Sequence, residues 1–461
     1  MYIQSYYYGK IPIEMWEFMA YGVAIFLVWV FSGIITRKRL SVHPEYRFFR
    51  YGLWAKILGG LGFGLIYIFY YGGGDTVAYY QTAYAFCELF YHDTGTFVET
   101  FFGEASKEAV SVFSEKTGHP LHSIYFNDQT RFVMKCLVPI MLLTGKSYFL
   151  TTLLISIGSY WGIWRLYLTF VSHFPQYARN LAIGILFMPS VVFWGSGILK
   201  DSFTLTATCF FLSEINNVIL RKKAWWKSAL VIIIASWMII SIKPYIFLIL
   251  LPGALVWMFY TYIKTIRNRL FRYSVLPLIY VIIIGGSYFL LTSLGDQFGK
   301  FSVDQALQTA VVTQQDLKQE YYQGSSFDIG SFEPTIMGVL SKFPQATVAG
   351  LFRPFVWESN NVIMLLSGVE NFFILFITVW VLVQLRWSWI KKMISDYPIL
   401  LCSVVFSVLF GFMIGLTTSN FGALVRFKIP LVPMYMATML ILFSKVESFK
   451  IVKGQKKWFV G

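Results

Sequence analysis

Long apolar runs, separated by short polar stretches, dominate the hydrophobic pattern of this 461-residue chain. A helix of about 20 apolar residues crosses the ~30 Å hydrocarbon core of a membrane. The runs lack the alternation, in segments of about 10 residues, that is typical of a transmembrane β-barrel. The pattern therefore predicts an all-α fold, a polytopic transmembrane helical bundle of about eleven spans, which lie roughly at 16–36, 52–71, 147–164, 181–198, 202–220, 228–242, 244–263, 274–294, 363–385, 397–416 and 428–444.

The basic residues give these spans a direction, because loops rich in Lys and Arg stay on the cytoplasmic side. Alternate loops, with the basic residues flanking them, hold 24 basic and four acidic residues, a net charge of +20, whereas the other side is net −5. The sequence therefore predicts an N-terminus outside and a C-terminus in the cytoplasm. The short apolar stretch 132–145 carries Lys135 and is interpreted as half-inserted or interfacial, because a full crossing there would place five basic loops outside.

Composition narrows the class of protein. Hydrophobic residues make up 57% of the chain and charged residues 13%, whereas soluble proteins average about 25% charged. This composition excludes a soluble enzyme, a disordered protein and a nucleic-acid-binding module, and topology rather than nucleic acid explains the net charge of +15. Four widely spaced cysteines form no C-x-x-C pair, so the usual zinc and disulfide patterns are excluded. We expect a single integral membrane domain over 1–461.

Two loops are much longer than the others, at 72–131 and 295–362, and both are predicted to lie outside, in the periplasm. Long loops in compact proteins usually carry function. The first opens with G-G-G-D-T-V-A-Y-Y at 72–80 and continues as aromatic-rich, amphipathic sequence, which is typical of helices that lie along a membrane surface. Functional residues are therefore expected in these loops and in the short outer turns.

Asp75 is the first candidate for chemistry, because it follows three glycines just past a predicted span. Glycines let the backbone turn sharply and let a substrate approach closely. A carboxylate at the membrane–water boundary is suited to accept a proton from a sugar hydroxyl as a general base. Tyrosines near Asp75, such as Tyr79 and Tyr80, are candidates to stack on sugar rings. The alternative is that Asp75 is only the N-cap of the next helix.

The segment M-P-S-V-V-F-W-G-S-G-I-L-K-D at 188–201 ends one predicted span and begins the next. Pro189 and two glycines weaken the helix within an apolar zone, and broken helices at membrane depth are tolerated where they line a cavity. Lys200 and Asp201 would place a charge pair at its mouth. The alternative is a simple hairpin turn in which Asp201 caps the next helix and Lys200 extends its charge to the membrane surface.

Five cations fall near span ends on the outer side, where the topological bias disfavours them. Arginine forks match phosphate oxygens and lysine adds a point charge, so a lipid-linked phosphate or diphosphate fits this set. Arg426 and Lys428 would project to one side if their stretch were extended. The alternative is that the cations form structural salt bridges with Asp201, Glu358 and Glu370. The candidate phosphate- and sugar-binding residues are Lys200, Asp201, Lys243, Arg353, Glu358, Arg426, Lys428, Tyr79 and Tyr80.

These patches of the chain resemble the GT-C superfamily of membrane glycosyltransferases, whose first long outer loop carries an acidic catalytic residue just past a span. Asp75 in G-G-G-D-T-V-A-Y-Y matches that position. The stretches P-S-V-V-F-W-G-S-G-I-L-K-D, F-R-P-F-V-W-E and R-F-K-I-P-L-V-P are similar to segments of bacterial polysaccharide-assembly proteins of this kind. The resemblance implies a glycosyltransferase or polysaccharide repeat-unit polymerase that transfers sugar, with inversion, from a polyprenyl-(di)phosphate-linked donor at the outer face of the bacterial inner membrane.

The resemblance also sets what the site should contain. It implies Asp75 as the catalytic carboxylate, a glycan or lipid-linked acceptor, and contacts with membrane lipids and with other envelope-glycan assembly proteins. Two departures stand beside it, because the acidic loop follows the second span rather than the first, and no second acidic residue adjoins Asp75. No cofactor is predicted, and dependence on a divalent metal is left open.

Two other classes of function fit the same pattern. A transporter or flippase of a lipid-linked or anionic solute would carry charged residues at mid-membrane on several helices, and only Glu370 is expected to lie deep. A non-enzymatic assembly or secretion subunit would use the long loops as partner surfaces. Flipping in proteoliposomes without new glycosidic bonds would favour the first class. Loop exchanges combined with Asp75→Asn separate the second class from an enzyme.

Overall fold

A computed structural model of the protein describes residues 6–8, 11–221, 225–263, 308, 311–315, 326–385 and 387–458. The described residues are helical, as predicted, apart from loops, a short antiparallel hairpin of β1 (Tyr6–Tyr8) and β2 (Ile11–Ile13), and an isolated bridge between Ser326 and Asn420. The predicted span at 274–294 and much of the second long loop lie outside the described residues.

Twenty helices are numbered here in chain order. Those before the second long loop are α1 Met15–Leu40, α2 Phe49–Leu65, α3 Asp75–His92, α4 Thr94–Phe102, α5 Lys107–Ser111, α6 His122–Tyr125, α7 Asp128–Leu143, α8 Tyr148–His173, α9 Ala178–Leu186, α10 Pro189–Trp194, α11 Lys200–Arg221, α12 Trp225–Ile242 and α13 Pro244–Ile263. Those that follow are α14 Ile336–Ser341, α15 Phe343–Phe352, α16 Val362–Gln384, α17 Trp387–Asp396, α18 Pro398–Thr417, α19 Phe421–Phe427 and α20 Val432–Trp458.

Among the described residues, five helical segments are long and apolar enough to cross a membrane, namely α1, Pro44–Tyr70, α12, α16 and α18. Two bent pairs raise this number to seven if each pair is one span. Three of the predicted spans differ from this set among the described residues. The stretch 181–198 is divided between α9 and α10. Ser, Thr and Asn residues interrupt the apolar sequence of α11. The apolar part of α13 is shorter than the other spans.

The bend between α7 and α8 shows how the stretch 132–145 is built. The two helices meet at 113°, so they do not form one straight span. Gly145 and Lys146 both have positive φ, 61° and 67°, which reverses the chain direction within the turn. Lysine rarely adopts this conformation, and here its ammonium binds the carboxylate of Glu88 at 2.7 Å.

The described residues group into two compact units. Unit 1 contains Met1–Leu168, Val191–Phe211 and Ile233–Pro244, and unit 2 contains Thr169–Ser190, Leu212–Ile232 and Tyr245–Gly461. Each unit is assembled from three separated segments. A reading along the sequence finds boundaries at linkers, and these boundaries do not coincide with any linker of distinct composition.

The first long loop folds into helices that build the core of unit 1. Phe86 of α3 is fully buried and contacts the rings of Phe97, Phe101 and Phe113 at centroid distances of 5.0–6.4 Å. Asp93 is the N-cap residue of α4. Its pKa is lowered mainly by a hydrogen bond from the Thr96 hydroxyl and, to a smaller extent, by one from the Thr96 N–H. The aromatic residues of this loop therefore serve first to pack helices together.

The core of unit 2 contains a very close helix pair, α15 against α18. A β-carbon at Gly350 of α15 would lie 1.9 Å from the carbonyl oxygen of Gly411, and one at Gly415 would lie 1.9 Å from that of Ala346. Small residues let helices in membranes approach until their backbones touch. This contact fixes α15, and with it the segment that begins at Arg353.

Candidate functional site

The turn that carries Asp75 is built on the end of α2. That helix continues as a π-helical turn at Ile66–Tyr70, a feature that is frequent at functional sites. Gly72 and Gly74 have φ values of 62° and 103°, which side chains rarely tolerate. A β-carbon at Gly74 would lie 2.9 Å from the ring of Tyr67, so the turn rests directly on that ring.

Asp75 itself is exposed at the first position of α3. The N-cap is Gly74 and Asp75 is the first residue of the helix, so the alternative in which Asp75 is the N-cap is wrong. A carboxylate in the first turn is favoured by the helix dipole. The hydroxyl of Thr76 lies 2.8 Å from that of Tyr148, which anchors this turn to α8.

Tyr79 and Tyr80 do not suit the role of sugar platforms. Their side chains are 3% and 1% exposed and belong to the hydrophobic core of unit 1. The hydroxyl of Tyr80 donates to the backbone oxygen of Lys146 at 2.8 Å. Both rings are enclosed because α3 turns this face towards α7 and α8, and the structure corrects the prediction that placed them on a sugar.

The segment 188–201 forms a broken helix, with α10 followed by non-helical residues up to the start of α11 at Lys200. Its backbone oxygens are bound by side chains within unit 1. The ammonium of Lys56 donates to the oxygens of Val191 at 2.9 Å and Gly195 at 2.6 Å. The hydroxyl of Ser159 also donates to Gly195, at 2.6 Å, and that of Ser202 donates to Gly197 at 2.7 Å.

Lys56 was missed by the sequence analysis, which counted it with the cytoplasmic charges. It lies within α2 and is 1% exposed, so it is a buried cation rather than a loop charge. The glycines around Lys56 in α2 were the signal in the sequence, because they let another segment pack closely against that helix. A β-carbon at Gly59 would lie 2.3 Å from the oxygen of Val192, which shows how closely α2 approaches the broken helix.

Aromatic contacts join the broken helix to the turn of Asp75. The ring of Tyr67 packs against Phe63 at 4.5 Å and edge-on against Trp194 at 6.2 Å between centroids. Because the Gly72–Gly74 turn rests on the same ring, one tyrosine separates that turn from Trp194. The two segments singled out from the sequence are therefore neighbours within unit 1.

Asp201 is paired rather than capping. The ammonium of Lys243, in the turn between α12 and α13, donates to Oδ1 of Asp201 at 2.5 Å, and both side chains are buried. Lys243 therefore forms a structural salt bridge, which was the alternative to phosphate binding. Lys200, one residue earlier, is half-buried.

In unit 2, Arg353 is also engaged by an acid. Its guanidinium binds the carboxylate of Glu358 through Nε and a terminal nitrogen, and it lies 4.6 Å from the ring centroid of Phe327 and 5.4 Å from that of Phe421. The N–H of Phe327 donates to the backbone oxygen of Ser419 at 2.9 Å. Arg353 therefore fastens the end of the second long loop to the segment before α19.

Lys428 is buried and points inward. Its ammonium donates to the amide oxygen of Asn371 and to the backbone oxygen of Arg353, the latter at 3.1 Å. The stretch before it forms α19, so the extended conformation that would align Arg426 with Lys428 is wrong. Asn420 caps this helix by accepting from the N–H of Ala423, which explains why a helix forms here. Arg426 is half-buried, with its guanidinium over the ring of Phe427.

Glu370 is buried in α16. An ionisable group within a span usually faces a partner or a cavity. Its carboxylate accepts from the N–H and from the hydroxyl of Ser190, each at 2.5 Å. Ser190 lies in the first turn of α10, where the backbone N–H has no acceptor within the helix. Glu370 therefore supplies the acceptor that the broken helix lacks.

Replacing Glu370 with leucine is expected to lower the free energy of unfolding by about 1.5–3 kcal/mol, since a charged hydrogen bond is lost and a buried N–H is left without its acceptor. Denaturation by SDS in mixed micelles measures the change. Val369→Leu, on the exposed side of the same helix, is the matched control. Equal stability of the two variants would contradict the assignment.

Among the described residues, no group of three or more His, Cys, Asp or Glu side chains is arranged to hold a metal ion. No protein-family model, no curated protein and no solved structure matches the chain.

Proposed function

We propose that this protein is a membrane glycosyltransferase, or a polysaccharide repeat-unit polymerase, that uses a polyprenyl-(di)phosphate-linked sugar at the outer face of a bacterial inner membrane. The observation that carries the proposal is the position of Asp75, an exposed carboxylate that follows a span and an open glycine turn. A lipid-linked sugar presents its anomeric carbon at this same boundary between membrane and water. The GT-C resemblance of the G-G-G-D segment supports the same assignment.

The proposed reaction is a single displacement. An acceptor hydroxyl oxygen attacks the anomeric carbon, its proton passes to a carboxylate oxygen of Asp75, and the bond between the anomeric carbon and the phosphate oxygen breaks. The polyprenyl (di)phosphate leaves with the bonding electrons, and the anomeric configuration inverts because attack comes from the opposite face. The acceptor is a glycan or a second lipid-linked glycan, handed on by other envelope-glycan assembly proteins.

The phosphate-binding part of the proposal is narrower than the sequence suggested. Lys243 and Arg353 already bind carboxylates, and Lys428 is buried against backbone oxygens. Lys200 in unit 1 and Arg426 in unit 2 are half-buried and stay candidates for contact with phosphate. Phosphate contact at Lys243, Arg353 or Lys428 would require the partners just named to be displaced.

The membrane topology belongs to the same proposal, with eleven spans, the N-terminus outside and the C-terminus in the cytoplasm. A cysteine placed at Gly73 should react with an impermeant maleimide added to intact spheroplasts, whereas one at Lys227 should react only after lysis. Gly73 lies in the turn before α3, and Lys227 is exposed in the first turn of α12. Cys136, which is half-buried, is replaced by serine in the background. Labelling of both positions from the same side would overturn the orientation.

A transporter or flippase is the second candidate, and one observation favours it. Lys56, Glu370 and Lys428 are all buried charges, on α2, on α16 and in the turn before α20. Charged residues on several helices are what such a function predicts. Each of the three, however, is bound by hydroxyl, amide or backbone groups of the protein, which fits a structural role equally well.

One assay separates these functions. Lipid-linked glycans are extracted from cells that lack the protein and added to the purified protein in proteoliposomes. New glycosidic bonds, detected by mass spectrometry, are the expected result. Movement of the glycan across the bilayer without new bonds would replace the proposal with the flippase, and neither activity would leave the non-enzymatic assembly subunit.

A further inference from the structure

Two tyrosines are exposed directly before the glycine turn. Tyr70 is 70% exposed and Tyr71 46% exposed. Their rings meet edge-to-face at 5.0 Å, and the ring of Tyr71 also contacts that of Tyr67 at 5.2 Å between centroids. Since Tyr67 also packs on Phe63 of the buried core, the outer rings are held by a continuous aromatic stack. They form a fixed surface rather than two independent side chains.

Open space adjoins this surface. A β-carbon at Gly72 or Gly73 would meet no atom within 4 Å, although the next glycine, Gly74, is packed tightly on Tyr67. Glycine at such places lets another molecule approach the backbone closely. The turn therefore has one side fixed on the protein and one side free, and the free side leads from Tyr71 to Asp75.

The simplest alternative for exposed tyrosines near a span end is the aromatic belt at the membrane interface. A belt residue needs an apolar body near the lipid and a wet hydroxyl, and it needs no neighbouring carboxylate or open backbone. Here the rings, the open glycines and the carboxylate occur within six residues, 70–75. This combination is what recognition of a sugar requires.

We propose that Tyr70, Tyr71, the open turn at Gly73 and Asp75 together bind the pyranose ring of the acceptor glycan. The C–H groups on one face of a pyranose carry partial positive charge and pack on the negative face of an aromatic ring. Asp75 then accepts a hydrogen bond from the hydroxyl that is to attack. This inference rests on the proposed function and assigns the acceptor, not the donor, to this turn. It replaces Tyr79 and Tyr80 as the sugar-stacking residues.

Gly73→Ala is the sharpest test, because the added methyl group meets no protein atom and the φ of Gly73 lies outside the positive region. Its thermal unfolding should match that of the wild type, while its affinity for glycan falls at least about tenfold. Gly62→Ala is the matched control, since its β-carbon is equally unopposed but lies within α2. Tyr71→Ala should show the same loss, Tyr71→Phe should restore binding, and Tyr91→Ala, at an exposed tyrosine on α3, should not change it.

The probe is the glycan released by mild acid from the lipid-linked material that accumulates in cells lacking the protein, so that it carries neither lipid nor phosphate. Its binding is measured by calorimetry and its KM in the transfer assay. If Gly73→Ala and Tyr71→Ala both bind the glycan with an affinity within twofold of that of the wild type, the inference is wrong, even when transfer is intact. Transfer absent from the wild type itself would overturn the proposed function instead.

Discussion

Replacing Asp75 with asparagine is expected to lower turnover by at least about 10²-fold while leaving the fold intact. A positioned general base is worth about 10²–10⁴ in rate, and asparagine keeps the size of the side chain but cannot accept the proton. Gly74 rather than Asp75 is the N-cap of α3, and asparagine is tolerated in the first turn of a helix as aspartate is. Thermal unfolding should therefore be nearly unchanged, and initial rates with saturating lipid-linked substrate report the loss.

Two variants make this result specific. Asp75→Glu should recover little activity, since an added methylene moves the oxygens by about 1 Å and catalysis depends on such distances. Asp93→Asn changes another exposed aspartate at a helix start and should leave turnover unaffected. Near wild-type turnover of Asp75→Asn would exclude Asp75 as the base, and the carboxylate would have to be sought elsewhere.

Replacing Gly350 with valine is expected to cost about 3 kcal/mol or more in the free energy of unfolding. Its β-carbon would lie 1.9 Å from the backbone oxygen of Gly411, and a backbone atom cannot move aside as the end of a flexible side chain does. Overpacking in cores usually costs about 1–3 kcal/mol, and here the whole of α15 must shift. Denaturation by SDS in mixed micelles measures the loss.

The displacement should also reach the loop that α15 precedes. Arg353 directly follows α15, so the contact of its guanidinium with Phe327 should weaken, and proteolysis of the segment 326–362 should quicken. Gly158→Ala, on a face of α8 where a β-carbon meets nothing, is the control and should leave both measurements unchanged. Equal stability of Gly350→Val and this control would show that α15 and α18 are not in backbone contact.

Helices were predictable from the sequence to the extent that apolar length decides them. The runs at 16–36, 363–385 and 397–416 became α1, α16 and α18, with ends shifted by only a few residues. The run at 181–198 did not, because proline and glycine divide it and polar side chains compensate the broken backbone. Those compensating groups come from distant segments, so hydropathy along the chain carries no sign of them.

The sequence indicated which residues of the candidate site to consider, but not which of their side chains are exposed and which are paired. Asp75, Asp201 and Glu358 were singled out as notable carboxylates, and two of them are engaged by lysine or arginine. Tyr79 and Tyr80 were named as sugar-stacking candidates because they lie near Asp75 in the sequence. Which tyrosine is exposed depends on how α3 packs on α7 and on the π-helical turn that ends α2. The hydrophobic periodicity of so aromatic a stretch predicts neither of these two features.

The carbonyl oxygens that bind Lys56 lie 135 and 139 residues further along the chain. At about 5–20 residues per second of synthesis, α2 leaves the ribosome roughly 7–28 s before those partners exist. A lysine at the centre of a span costs on the order of 2.5–3.5 kcal/mol on insertion. Lys56 lies near the middle of α2, where its ammonium carries this cost until those oxygens arrive. Stable insertion of α2 should therefore wait for α10, and chains truncated before Gly195 should show α2 more readily extracted from the bilayer by alkaline carbonate.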